Sequence, residues 1–79
     1  MRVPRDVNAE DLIKLLERYG YVVTRQKGSH IRLSKTFDEA EHAITIPNHQ
    51  PIKIGTLSSI IKDVALANRL ETTELYNQL

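Results

Sequence analysis

Between positions 25 and 35 the chain carries Arg25, Lys27, Arg32 and Lys35, one imidazole, His30, and no acidic side chain. Those side-chain types are the ones that work on a phosphodiester. Cutting an RNA chain without a metal uses the ribose 2′-hydroxyl as an internal nucleophile. A base must take its proton, the leaving 5′-oxygen must gain one, and fixed cations must meet the extra charge on the phosphoryl oxygens. Imidazole suits the proton steps, and guanidinium or ammonium groups suit the third. His30 with Arg25, Lys27 and Arg32 makes up that set. Gly28 and Ser29, lying between them, could hold phosphate through backbone N–H groups or serve only as a turn. A strand histidine among cations is also an ordinary surface feature, so the residues alone leave both readings of His30 open.

The other chemistry-bearing residues have similar pairs of readings. His49 lies in the loop Pro47-Asn48-His49-Gln50-Pro51, where it could transfer a second proton, touch RNA or order the loop. Lys53, just before Gly55-Thr56, suits an anion at a helix start or forms a plain N-terminus. Tyr21 could stack on a base from an exposed strand face or pack against a neighbour. His42 follows an acidic run and is expected at the surface. Ser29 has no visible acid–base partner for a nucleophilic role. The histidines and acids lack metal-ligand spacing and cysteine is absent, so neither a metal site nor a cofactor is expected.

The elements that must position these residues follow from periodicity. Asn8 caps a helix over 9–19, with Leu12, Leu15, Leu16 and Tyr19 in one stripe, Glu10 and Asp11 in the first turn, and Gly20 as the stop. Two strands, 21–26 and 30–35, are joined by a hairpin turn at Lys27-Gly28-Ser29. Alternation puts Val22 and Thr24 on the core face with Ile31 and Leu33. It puts Tyr21, Val23, Arg25, His30 and Arg32 on the other, with Lys27 or Arg25 across from His30. The acidic stretch 36–41 reads as a connection and 42–46 as a third strand, with Ile44 and Ile46 on one face. A second helix opens at Gly55-Thr56 with the stripe Leu57, Ile60, Ile61 and Val64, and Asn68 is a plausible stop. Thr72 or Thr73 caps a short helix over 74–79, packed through Leu75 and Leu79.

The fold class is therefore α+β. The expected architecture is an α-β-β-β-α sandwich of the double-stranded-RNA-binding-domain type. A three-stranded antiparallel sheet carries two helices on one face, and a short C-terminal helix follows.

The composition is that of a globular chain, and 79 residues suit one domain over 1–79. With no cysteine there is no disulfide framework, as suits a reducing compartment, and the cytoplasm is the expected location. The start lacks the apolar core of a signal peptide, and no apolar run is long enough to span a membrane. The net charge is only +1, but it is unevenly placed. Residues 1–35 hold eight Lys and Arg against four Asp and Glu, and residues 36–79 hold three against six. Such asymmetry can draw an anionic ligand to one face.

Several spaced motifs, in order, resemble the HicA-type mRNA interferase toxins. Asp11-Leu12-Ile13-Lys14-Leu15-Leu16 followed by Gly20-Tyr21 is similar to the family's first helix and stop. Arg25-Gln26-Lys27-Gly28-Ser29-His30 resembles its signature, and Ile46-Pro47-Asn48-His49 its (V/I)-P-x-H. Lys53-Ile54-Gly55-Thr56-Leu57-Ser58-Ser59-Ile60 resembles its K-x-G-T-L-x-x-I, with Ile54 where many relatives have proline. The resemblance implies an endoribonuclease toxin acting on single-stranded mRNA, with His30 as the active-site histidine and a HicB-type antitoxin as partner. Two other classes compete: a non-catalytic RNA-binding module of the same fold, which would not need His30, and a protein-binding adaptor, which would not bind RNA.

Overall fold

The computed structural model describes residues 3–79. The elements run α1 (Ala9–Arg18), β1 (Val22–Lys27), β2 (His30–Phe37), β3 (Ala40–Pro47), α2 (Ile54–Asn68) and α3 (Thr72–Tyr76). This is the α-β-β-β-α order with a short helical tail. The three strands form one antiparallel sheet in the order β1-β2-β3.

Local chemistry accounts for the boundaries. The Asp11 carboxylate accepts the Asn8 N–H at 3.0 Å, closing the first turn of α1. Past Arg18 and the C-cap Tyr19, Gly20 turns the chain away at a φ of +93°, which favours a residue without Cβ. The apolar stripe of α1 (Leu12, Leu15, Leu16) and that of α2 (Leu57, Ile60, Ile61, Val64) are buried with Ile31, Leu33, Ile44 and Ile46 of the sheet. The helices thus cover one sheet face. Leu75 of α3 is fully buried and Leu79 packs partly against the same core.

The strand register departs from simple alternation in β1. Val22 pairs with Ser34 and Val23 with Leu33, but Arg25 pairs with Arg32, leaving Thr24 as a bulge without a partner in the ladder. One extra residue reverses the facing of everything before it relative to everything after. Tyr21 and Val23 therefore lie on the side of Leu33, and Tyr21 is buried at 1% exposure, whereas Val22 is 59% exposed. The expected core facing of Val22 and Thr24 is overturned, as is the open-face placing of Tyr21, and of the two readings of Tyr21 the packed one holds. Beyond the bulge, Arg25 shares the face of Arg32, as alternation within β2 and the hairpin pairing require.

Element boundaries shift by a few residues elsewhere. The acidic connection shrinks to a two-residue turn, Asp38 and Glu39, because β2 continues to Phe37 and β3 starts at Ala40. Asn68 is the last residue of α2, and Arg69, at φ +57°, takes the left-handed position after it. The last helix begins at Thr72, two residues ahead of the expected start, with Glu71 as its N-cap.

Candidate functional site

The sheet face turned away from the helices carries the basic cluster. At the hairpin end Lys27 stands directly across from His30, and Pro47 flanks His30 on β3. One row further in, Arg25 faces Arg32, and Arg32 faces Thr45. His30 and Arg32 reach this face by alternation along β2, and Arg25 and Lys27 reach it because of the bulge at Thr24. The five side chains Arg25, Lys27, His30, Arg32 and Thr45 line a shallow depression of about 320 Å³, and all five are exposed. No acid is among them, and none of their three cations, Arg25, Lys27 and Arg32, pairs with a carboxylate of the described residues.

The turn itself is Gly28-Ser29, with Gly28 at φ +57°. The Ser29 carbonyl accepts the Asn48 N–H at 2.6 Å, so the loop after β3 is fastened to the turn. His49, exposed, follows in that loop. Lys53 is the exposed N-cap of α2. The depression thus gathers Arg25, Lys27, His30 and Arg32, with Gly28 and Ser29 at its edge, whereas neither His49 nor Lys53 lines it. Among the described residues, no group of three His, Asp or Glu side chains is placed to hold a metal ion.

Thr45 was not among the expected site residues. Its signal was present: if Ile44 and Ile46 face the core, Thr45 must face the open side. Lys35, by contrast, leaves the basic cluster. It sits across from His42 on the helix side, where its ammonium donates to Asn68 Oδ1.

Lys35 opens a second polar group that the sequence did not suggest. Asn68 Nδ2 donates to the Val64 carbonyl at 2.8 Å and to the Tyr21 hydroxyl at 3.0 Å. That leaves the Tyr21 proton to be donated to His42 Nδ1, 2.6 Å away. His42 Nε2 then lies 3.2 Å from Asp63 Oδ1, off the line of a well-formed hydrogen bond. His42 is half-buried rather than at the surface, since Tyr21 and α2 close over it. Burial pushes the Tyr21 phenol above its usual range. The Asn68 hydrogen bond opposes that rise and the Asp63 charge adds to it.

No curated protein and no solved structure matches the chain. A family model does: the HicA toxin of bacterial toxin–antitoxin systems, over residues 9–66. That span holds α1, the three strands and most of α2, including the whole depression. Matched across well over half its length, the chain belongs to the HicA toxin family and is the toxin component of a toxin–antitoxin system.

Proposed function

We propose that the protein is a metal-independent endoribonuclease that cleaves single-stranded mRNA on the open sheet face, in the cytoplasm. The observation that carries this reading is the placement of Arg25, Lys27 and Arg32 around His30 with no acid among them. The ribose 2′-oxygen forms a new bond to phosphorus while His30 takes its proton, and the bond from phosphorus to the 5′-oxygen breaks. The 5′-oxygen leaves with a proton, returned by the imidazolium or by a second group. His49 is the candidate for that second group, or for a further RNA contact. Arg25, Lys27 and Arg32 hold the phosphoryl oxygens as charge builds on them. The Gly28 and Ser29 backbone and the Lys53 ammonium supply outer contacts to the backbone of the RNA. A HicB-type antitoxin neutralises the enzyme, in keeping with the family's role in toxin–antitoxin pairs.

The test is His30→Ala. Cleavage of a single-stranded RNA should fall by roughly 10²- to 10⁴-fold, with little loss of RNA affinity and no loss of fold, because the side chain is exposed. Undiminished cleavage by a folded His30→Ala protein would remove the catalytic assignment and leave the non-catalytic RNA-binding module.

A further inference from the structure

The open face continues past the cations, and its character changes row by row. After the Lys27–His30–Pro47 and Arg25–Arg32–Thr45 rows comes Val22–Ser34–Ala43, and after that Thr36–Glu41. The third row is uncharged and small: Ser34 is buried, Ala43 is half-buried, and Val22 projects at 59% exposure. An exposed valine alone is unremarkable. Its position is not, because it adjoins the arginine row at a spacing of about 6.8 Å along β2, a distance one nucleotide bridges from phosphate to base. A phosphate has no cation to meet it on the third row, and Glu41 on the next would repel one. A neutral, flat group suits this row, with cations on one side and an acid on the other.

We propose that the Val22–Ser34–Ala43 row is a nucleobase subsite. It takes the base of a nucleotide whose phosphate is held by Arg25 and Arg32. The proposal rests on the reading of the cationic face as an RNA site and adds a binding element to it. Val22 supplies the apolar contact, and Ser34 and Ala43 keep the floor low enough for a base to lie on it. A site of this kind favours base over no base while tolerating different bases, as apolar contact to a ring face does.

The experiment compares two hexamers that resist cleavage: 2′-O-methyl uridylate and the same 2′-O-methyl backbone without bases. The wild-type protein should bind the base-bearing hexamer more tightly by roughly three- to tenfold, the worth of one or two buried methyl groups. Val22→Ser should remove most of that preference without altering affinity for the abasic hexamer, and Val22→Phe should enlarge it. Val22→Thr, which keeps the branched outline a strand favours, reads the same loss should the serine protein fold poorly. Equal affinity of the wild-type protein for both hexamers would overturn the subsite, as would equal weakening of both by Val22→Ser. The RNA face itself would then still stand. If neither hexamer binds even at low salt, the RNA reading fails and the subsite fails with it.

Discussion

Arg25 and Arg32 stand directly opposite one another across the β1–β2 ladder, two guanidinium groups on one open face with no carboxylate among the residues that line the depression. Like charges so placed cost the folded state about 0.2–1 kcal/mol. The fold therefore carries a small penalty that an anion lying between the two strands would relieve.

Arg25→Gln should raise the melting temperature, by a few degrees at most, and weaken RNA binding at the same time. Thermal unfolding and RNA titration of the same preparation check both signs. A variant that is destabilised and binds RNA undiminished would contradict the proposed use of the pair.

RNA affinity should fall with salt. With three phosphate contacts from Arg25, Lys27 and Arg32, log K against log salt should have a slope of about −2 for a single strand. Adding Lys53 would steepen it by less than one. A titration series in sodium chloride measures the slope, and a flat line would take the basic face out of RNA binding.

The Tyr21 hydroxyl ties β3 to α2, through His42 and Asn68, and beyond Asn68 reaches Lys35 of β2. Tyr21→Phe keeps the ring in the core but leaves His42 Nδ1 and one of the two Asn68 Nδ2 hydrogens without a partner, and should cost about 1–3 kcal/mol by denaturant unfolding near pH 7. The pH dependence has a definite sign. Because burial raises the phenol's pKa in the folded state, the unfolded chain ionises first. The stability held below about pH 10 is then lost as the pH rises through and beyond that value. Tyr21→Phe should lack this part of the alkaline decline, and a decline of equal steepness in both proteins would place its cause elsewhere.

If the antitoxin silences the toxin by covering the open face, His30 should resist diethyl pyrocarbonate in the complex and react freely in the isolated toxin, where it is exposed. Positive charge concentrated on that face is what an acidic partner would meet first. Mass spectrometry of the modified peptides separates His30 from His49 and from half-buried His42. Unchanged labelling of His30 in an inhibited complex would mean that the partner clamps the protein and leaves the site open.

Much of this was legible in the sequence where one physical rule acted alone. The stripe from Leu12 to Leu16 and the one from Leu57 to Val64 have no reading other than helices with a buried face, and Ile31 and Leu33 fix the facing of His30 and Arg32 by period two. Arg25 was assigned to the open face, though by counting straight through β1; the count was wrong before Thr24 and right after it, since the bulge reset it. No residue type announces a bulge at Thr24, so the burial of Tyr21 and the exposure of Val22 were out of reach. The Lys35–Asn68–Tyr21–His42–Asp63 group was hidden for a different reason. Its members come from β2, β3, α2 and the residue just before β1, and only the packing of α2 against the sheet brings them together.

The bulge also bears on what could be moved to another protein. The short string Gly28-Ser29-His30 holds the histidine but none of the geometry. Transplanted behind a straight first strand anchored by a buried aromatic, it would be left without its cations, because Arg25 and Lys27 would then turn into the new host's interior. The smallest portable cassette is the hairpin from Tyr21 to Leu33 with Thr24 kept in place, on a host sheet that offers a threonine beside the second arginine.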